Sequence, residues 1–481
     1  MLVGDDYQIA RFVIERGLGA IYFVAFVVAA RQFPALAGER GLEPAPQFLR
    51  RASFRDAPSI FHWRYTDRLL RLVAWSGAAL AAAVVLGLAA WAPLPVTMLI
   101  WFVLWALYLS IMNIGGTFYS FGWESQLVET GFVAIFLGNG EIAPPLLTIL
   151  LFRWIGFRVE LGAGLIKLRG DACWRDLSCM YYHHETQPLP NPLSWLAHHE
   201  PRWMHRLEGL GNMVAQLVLP FGLFLPQPLA TAAAVLLIMT QLYLVFTGNY
   251  SWLNWITILA LVAGISDSTL RALLPGVPVG GALAPAPLWF DAMTVAFALL
   301  VGVLSYWPVR NLLSSRQQMN RSFDPFRLVN TYGAFGSVTR RRYEVIVEGT
   351  DDEQLGPDTA WREYEFKAKP GDPRRMPPQV APYHLRLDWL MWFIPISPAY
   401  AGSWFSRLLL RLLEGDAPTL ALLGDNPFPD RPPRFVRARL FHYRFSTWRE
   451  LRSTGAWWQR SPAGELVGPL RMRAAASADV A

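Results

Sequence analysis

Long apolar runs alternate with short polar segments over the first 310 residues of the chain. Residues 72–123 and 209–266 contain no Asp, Glu, Lys or Arg. A helix that crosses a bilayer needs about 20 predominantly apolar residues. Apolar runs of roughly that length, with one shorter run near 126–138, occupy residues 12–30, 70–92, 95–114, 126–138, 142–166, 209–225, 228–247, 252–270 and 286–308. The pattern predicts about seven to nine helical segments, of which some could be re-entrant.

After Pro308 the pattern changes to that of a smaller mixed domain. Residues 343–350, 361–371 and 435–446 alternate polar and apolar side chains, which predicts three β-strands, the first two as an antiparallel pair. Residues 403–416 have helical spacing instead. We therefore predict a multi-pass α-helical membrane protein with a C-terminal α+β extramembrane domain. The expected division is a transmembrane domain over 1–310, with a polar loop at 167–208, and an extramembrane domain over 325–475.

Composition supports the membrane assignment. The chain is 53% hydrophobic and 16% charged, with a mean hydropathy of +0.26, whereas soluble domains carry about 25% charged residues. The net charge of +7 is compatible with anionic lipid or an acidic partner surface. No basic and aromatic pattern indicates nucleic-acid binding. The Arg-rich loop 31–69 should be cytoplasmic by the positive-inside rule, but the polar loop also carries Arg, so the pattern leaves the orientation open.

Lys167 is the only lysine before residue 367 and follows an apolar, Gly-containing helix. A lysine desolvated beside another cation, here Arg169, can lose its proton and act as a base or nucleophile. A lysine at a membrane boundary can equally extend its ammonium group to the interface or pair with Asp171 or Glu160. Both interpretations remain open, and Lys167 is the one candidate catalytic residue.

Both cysteines of the chain, Cys173 and Cys179, lie in the same polar loop. In an oxidising compartment they could form a loop-closing disulfide or exchange with a thiol oxidoreductase. They could also remain as two free thiols. The five-residue spacing is not that of a C-x2-C redox or zinc motif.

Five of the eight histidines fall between residues 183 and 205, at positions 183, 184, 198, 199 and 205. Two histidines with Glu185 or Glu200 could bind Zn²⁺ or Fe²⁺. No H-E-x-x-H motif is present, and three prolines between the pairs place them on separate elements. We therefore expect polar packing at the interface here, without a bound metal.

Two acidic residues, Glu124 and Glu129, lie between apolar runs. Buried carboxylates need partners, and Arg153 and Arg158 are the nearest candidates along the chain. We favour a structural role, in which the two carboxylates pack against these arginines, over a role in proton transfer.

Seven blocks of the chain resemble the lipase maturation factor family, in the family's order. They are GGTFYSFGWESQLVETGF (115–132), ELGAGLIKLRGDACWRDLSCMYYHHETQPLPNPLSW (160–195), FTGNYSWLNWITI (246–258), NTYGAFGSVTRRRYEV (330–345), WREYEFKAKPGDPRRMPP (361–378), YHLRLDWLMWF (383–393) and NPFPDRPPRFVRARLFHYRF (426–445). The resemblance implies a multi-pass protein of the endoplasmic reticulum membrane, with a lumenal C-terminal domain, that helps secreted lipases to fold. The Arg and Ala bias is compatible with a bacterial relative, which would lie in the cytoplasmic membrane.

Residues 162–182 also resemble a helix of vitamin K-dependent γ-glutamyl carboxylase and the related HTTM membrane domain, in which Lys167 would match a catalytic lysine. A likeness at the level of the fold does not carry the function with it.

We therefore expect a maturation factor whose partners are a client protein, namely a lipase, and membrane lipids. The alternative is a carboxylase-like enzyme that uses Lys167 on a lipid-soluble or polypeptide substrate. The sequence contains no G-x-S-x-G elbow, no Walker A motif and no dinucleotide-binding motif, which argues against a typical hydrolase or a nucleotide enzyme. No cofactor is expected.

Function is predicted to concentrate in two segments, 160–195 and 425–445. Charged or amphipathic residues at a membrane boundary need specific partners, and a turn before Pro432 leads into the 435–446 strand. The candidate client-binding or structural residues are Arg169, Asp171, Trp174, Arg175, His183, His184, Asn426 and Phe428.

Overall fold

The computed structural model describes residues 4–277 and 283–472. Residues 1–3 and 278–282 of the predicted transmembrane domain, and residues 473–475 of the predicted C-terminal domain, lie outside this range.

Helices make up most of the described part of the chain. The first seven are α1 Gln8–Ala37, α2 Ala45–Leu49, α3 Asp67–Leu86, α4 Leu88–Trp91, α5 Leu94–Asn113, α6 Gly122–Ala134 and α7 Leu146–Arg169. The next ten are α8 Ala172–Arg175, α9 Met180–Thr186, α10 Pro192–His198, α11 Arg202–Leu217, α12 Leu219–Gly222, α13 Leu229–Thr247, α14 Leu253–Val262, α15 Asp267–Leu273, α16 Leu288–Leu304 and α17 Tyr306–Leu313. The last four are α18 Arg386–Phe393, α19 Gly402–Leu413, α20 Ala417–Leu420 and α21 Trp448–Thr454.

Five helical stretches are long and apolar enough to cross a membrane: Gln8–Ala37, Asp67–Leu86, Leu94–Asn113, Leu229–Thr247 and Leu288–Leu313. Each apolar run predicted from the sequence contains a helix. Within the described residues, all five candidate spans end before the β-sheet begins. The protein is therefore a multi-pass membrane protein, and the predicted fold class is confirmed.

Small residues allow α1 and α3 to pack closely as an antiparallel pair. A Cβ atom on Gly77 of α3 would lie 2.6 Å from the Phe26 ring of α1. Near the other end of the pair, a Cβ on Gly19 would lie 3.0 Å from Val84. Since hydrophobic attraction between helices is weak in lipid, close van der Waals contact of this kind holds spans together.

A four-stranded antiparallel sheet forms the centre of the C-terminal part, in the order β2-β1-β3-β4. The strands are β1 Arg342–Thr350, β2 Arg362–Glu363, β3 Phe435–Phe445 and β4 Trp458–Leu470. The predicted strands at 343–350 and 435–446 and the helix near 403–416 are confirmed.

The predicted strand over 361–371 is wrong beyond its first residues. Arg362 and Glu363 pair with β1, and Tyr364 N makes one more backbone hydrogen bond to it, to Val347 O at 2.9 Å. The chain then turns away, and the amides of Ala368 and Lys369 donate to the buried carboxylate of Asp388 at 2.7 and 3.1 Å. The Asp388 carboxylate therefore accepts the backbone hydrogen bonds that a neighbouring strand would accept if β2 continued.

The C-terminal part lies against one end of the helix bundle. Gln32, near the end of α1, donates to His384 O at 2.7 Å and accepts from Arg386 N at 3.1 Å. Asn249, between α13 and α14, accepts from Val380 N at 2.8 Å. Because the helices alternate in direction, loop residues 38–66, 114–121, 170–201 and 248–252 all lie at this end.

Buried polar contacts also join the two parts through the middle of the bundle. Glu129 of α6 forms an ion pair with Arg158 of α7, and both side chains are buried. Glu129 also accepts from Asn330 Nδ2 at 2.8 Å and from the Tyr332 hydroxyl at 2.6 Å. Arg158 was among the partners expected for the acidic pair, whereas Glu124 pairs with Arg386 of α18.

Candidate functional site

Residues 170–201, here called the junction segment, lie between the helix bundle and the C-terminal sheet. The segment contains three short helices, α8, α9 and α10. Arg342, at the start of β1, donates to the carbonyls of Pro188 and Glu185 at 3.0 and 2.9 Å, and also to that of Gln187. One buried guanidinium thus satisfies three carbonyls where α9 ends.

The far side of the junction segment is held by the end of β3 and the residue that follows it. Trp195 is 1% exposed, and its indole nitrogen donates to Ser446 O at 2.9 Å. The Glu185 carboxylate accepts from Phe445 N at 2.7 Å. Burial raises the pKa of this carboxyl, and the hydrogen bond from Phe445 partly offsets that rise. The sheet therefore fixes the position of the segment.

A disulfide joins Cys173 and Cys179, whose Cα atoms are 4.7 Å apart. Both cysteines are buried, and they pack with Trp174 and Met180. The Trp174 indole nitrogen donates to Phe335 O at 2.8 Å. Because the bond is shielded from solvent, the structure favours a loop-closing role over thiol exchange with an oxidoreductase.

Asp171 connects the same loop to the chain that leads into β1. It pairs with Arg340 at 2.8 Å and caps α8 by accepting from Cys173 N at 3.1 Å. The Arg340 guanidinium holds the pKa of the Asp171 carboxyl at about 2, below its ordinary value of 3.8. Asp171 is therefore ionised at neutral pH.

Lys167 is 4% exposed and lies where α7 meets α11. Its ammonium donates to Asn212 Oδ1 at 2.8 Å and to Gln216 Oε1 at 2.9 Å. The same nitrogen lies 4.7 Å from the centre of the Trp174 ring. Two acceptors and an aromatic face all stabilise the charged form.

A line of polar side chains, here called the polar track, continues from this point into the bundle. Gln241 donates to Glu160 at 2.7 Å, and Asn254 donates to Gln241 at 2.7 Å. All three of these side chains are buried. The members of the polar track are His184, His205, Glu208, Asn212, Lys167, Gln216, Glu160, Gln241 and Asn254.

Helix α11 presents its polar face to the protein and its apolar face outward. Residues spaced by three or four lie on one side of a helix, and the inward side carries His205, Glu208, Asn212 and Gln216. The outward side carries exposed large apolar residues, namely Trp203, Leu207, Leu210 and Val214. This is the reverse of a surface helix in a soluble protein. It fits a helix that contacts lipid on one side and a polar protein interior on the other.

The five clustered histidines separate into distinct environments. His183 Nε2 lies 3.0 Å from the Tyr250 hydroxyl, and burial lowers the pKa of His183 to about 3. His198 lies 3.5 Å from Glu185, and His199 Nδ1 lies 2.7 Å from Trp195 O. His184 and His205 instead converge on Glu208, at 3.0 and 3.5 Å.

Asn426 and Phe428 lie apart from the junction segment. They form a local turn in which Phe428 N donates to Asn426 Oδ1 at 3.1 Å, and the Phe428 ring packs 4.0 Å from the Arg362 guanidinium. This turn lies near the end of β1, whereas the junction segment contacts its start. Eight residue steps of about 3.3 Å put the two regions about 26 Å apart.

The structure brings together six of the eight candidate site residues, those between 169 and 184. Arg169 and Arg175 are exposed and Asp171 is partly exposed, while Trp174, His183 and His184 are buried. Sequence reasoning missed Glu208, Asn212 and Gln216. Their spacing of four residues indicates one face of a helix. Asn212 and Gln216 were overlooked because they are uncharged, and the apolar run 209–225 was identified by its lack of charge.

Comparison with known proteins identifies both parts of the chain. A family model described as the lipase maturation factor transmembrane domain matches residues 9–272, and one described as the lipase maturation factor C-terminal domain matches residues 328–468. Lipase maturation factor 1 of Mus musculus is 43% identical over 97% of this chain and 88% of its own length. The Homo sapiens protein of that name is 42% identical over the same shares.

A more distant relative, lipase maturation factor 2 of Homo sapiens, is 28% identical over 94% of this chain and 81% of its own length. No solved structure matches the chain.

Proposed function

The chain belongs to the lipase maturation factor family, and from this premise we propose that it is a membrane-embedded maturation factor that assists the folding of a secreted lipase. The observation that carries the proposal is the likeness to relatives named lipase maturation factor 1 over 97% of the chain. That likeness covers the helix bundle, the junction segment and the sheet together.

The client is proposed to contact the end of the bundle where the sheet domain lies. This end carries the exposed side chains of Arg169 and Arg175 and, on α10, those of Leu193 and Leu196. A surface that combines charge with exposed apolar side chains can engage a polypeptide that has not yet buried its core.

The same end is proposed to face an oxidising compartment, because the disulfide of Cys173 and Cys179 lies there. That compartment is the lumen of the endoplasmic reticulum in a eukaryotic cell, or the periplasm in a bacterium. The Arg-rich loop 31–69 lies at this end too, so the orientation proposed here sets aside the positive-inside expectation for that loop.

The carboxylase-like alternative has weaker support. A lysine that acts as a base must give up its charge, and burial does lower the pKa of Lys167 to about 7. The contacts of its ammonium with Asn212, Gln216 and the Trp174 ring act in the opposite direction and stabilise the charged form. We therefore assign Lys167 to holding α7, α11 and the Trp174 loop together.

Co-expression with a secreted dimeric lipase tests the proposal in cells that lack their own lipase maturation activity. Lipase activity per unit of secreted lipase mass should rise when the chain is present. A secreted protein that is not a lipase should show no change, which controls for a general effect on secretion.

Two matched variants sharpen this test. Leu299→Val, at an exposed lipid-facing position of α16, should support the lipase fully, since only lipid contact changes. Arg342→Ala leaves three buried carbonyls of the junction segment without a donor, and it should lower the secreted lipase activity. Equal lipase activity with and without the chain would refute the proposed function.

A further inference from the structure

Three metal-binding side chains converge where α9 meets α11. His184, His205 and Glu208 each offer a ligand atom, and these atoms all lie within 4.8 Å of one another. The two histidines are 1% and 3% exposed. Neither the family model descriptions nor the names of the relatives mention a metal.

The spacing of the ligand atoms suits a small tetrahedral ion. Both imidazoles approach the same carboxylate oxygen, Glu208 Oε2, with His184 Nε2 at 3.3 Å and His205 Nδ1 at 3.5 Å. Around Zn²⁺, bonds of about 2.0–2.1 Å place neighbouring ligand atoms about 3.3 Å apart. Both separations are within about 0.2 Å of that value.

The backbone supplies two of these ligands as a rigid pair. His205 and Glu208 are three residues apart on α11 and so lie on the same face of the helix. His184 comes from α9, whose position is fixed by the Arg342 contacts to the carbonyls that follow it. The Tyr243 ring of α13 lies 6.4 Å from the His184 ring, centre to centre, so a third helix borders the cluster.

The ligand types decide which ion fits. Two imidazoles and one carboxylate suit Zn²⁺ and related transition metals, whereas Mg²⁺ and Ca²⁺ prefer oxygen ligands throughout. Three protein ligands leave one position of a tetrahedral ion for water. Glu208 is 13% exposed at its side chain, so an ion can reach the cluster.

We propose that His184, His205 and Glu208 form a Zn²⁺ site. The ion clamps α9 of the junction segment to α11 at the outer end of the polar track. This inference revises the expectation of a metal-free histidine cluster. It does not depend on which client the protein serves.

Metal content of the full chain tests the proposal. The protein is purified in detergent with an affinity tag that contains no histidine, loaded with Zn²⁺, and freed of unbound ion by gel filtration. About one zinc per chain is expected by elemental mass spectrometry. A content below about one zinc per ten chains would overturn the proposal.

Variants show whether this cluster holds the ion. Glu208→Gln and His205→Ala should each bind zinc at least about tenfold more weakly in a competition titration with a chelator, because even substitutions next to a ligand weaken a metal site about 10–100-fold. His442→Ala, on β3 and away from the cluster, is the matched control and should bind zinc as tightly as the unaltered chain. Equal zinc affinity of Glu208→Gln and the unaltered chain would place the ion elsewhere and refute the assignment.

Cobalt gives a second readout that does not depend on variants folding. Co²⁺ bound by two imidazoles and a carboxylate in the unaltered chain should give the visible absorption of a tetrahedral site, and added Zn²⁺ should remove it. A spectrum of six-coordinate Co²⁺ that Zn²⁺ leaves unchanged would contradict the proposal.

Discussion

Lys167 is the residue at which a structural and a catalytic role make opposite predictions. Lys167→Met removes the charge and leaves the acceptors of Asn212 and Gln216 unpaired. Each unpaired buried group costs about 1–3 kcal/mol. This variant should therefore be less stable and yield less secreted lipase activity. Lys167→Arg keeps the charge and the contact with Trp174, and should retain most of the lipase maturation activity.

The measurement is secreted lipase activity at matched levels of each variant. If Lys167→Arg accumulates normally but has no activity, the easily neutralised amine is what the protein needs. That result would favour the carboxylase-like alternative over the structural role.

Asp171 gives a pH-dependent prediction at the same scale. Its folded pKa of about 2 is below the ordinary value of 3.8, so the charged form stabilises the fold. This contribution is fully present above about pH 4 and is lost as the pH falls through about 2. Pairs this exposed contribute about 0.2–1 kcal/mol.

Asp171→Asn isolates the charge, because an asparagine can still cap α8. Near neutral pH the variant should unfold at a slightly lower temperature than the unaltered chain. The two melting temperatures should converge between about pH 4 and pH 2. A difference that stays constant over this range would mean that the Arg340 pair does not contribute through its charge.

Among single residues, the sequence indicated those that interrupt an apolar run with charge. Lys167 and Asp171 stand out in this way, and the two cysteines stand out because the chain has no others. The structure places all four around one loop. Gln241 and Asn254 were not found, because neutral amides inside apolar helices look like ordinary interruptions. Only the packing of α7, α11, α13 and α14 shows that these amides meet.

At the scale of elements, apolar runs predicted the helices well because lipid requires length and apolarity together. Strand β4 was not predicted, since Pro462 and Gly464 break the alternation of side chains. Its pairing with β3 contains register shifts. Such irregularities are common on edge strands, where they hinder pairing with other chains.

Strand β3 is the element on which the C-terminal sheet depends. It pairs with β1 from Arg342 to Thr350 and with β4 on its other side. A chain that stops at residue 425 would lack both β3 and β4, and Trp195 and Glu185 would lose their partners. We expect it to insert into the membrane but to support no lipase maturation.

A chain that stops at residue 472 is the matched control, because it keeps every strand and should remain active. Membrane insertion is measured by extraction at alkaline pH, and function by secreted lipase activity. Full activity of the chain that ends at residue 425 would show that the sheet is dispensable, which would contradict the role proposed for it.

At the scale of the whole molecule, we propose that the predicted boundary near residues 310–325 separates the helix bundle from the sheet domain, and that the two parts nevertheless fold together. Arg386 of α18 reaches into the bundle, where it pairs with Glu124 at 2.8 Å and donates to Phe118 O at 2.7 Å. The Tyr108 hydroxyl donates to the same carboxylate at 2.5 Å. A contact between residues 262 positions apart cannot be read from local patterns, which is why the sequence showed only two successive domains.

Arg386→Met should therefore destabilise the bundle and the sheet domain together. It leaves the Glu124 carboxylate buried without its partner, and breaking a buried pair in this way costs about 3–5 kcal/mol. Adding Glu124→Gln removes the uncompensated charge, so the double variant should be more stable than Arg386→Met alone.

Arg374→Met, at an exposed position of the C-terminal part, is the matched control and should change stability by less than about 0.5 kcal/mol. Limited proteolysis of the detergent-solubilised chain, followed at sites in both parts, measures the outcome. If only the C-terminal part became sensitive in Arg386→Met while the bundle kept its resistance, the two parts would fold independently and the buried pair would not couple them.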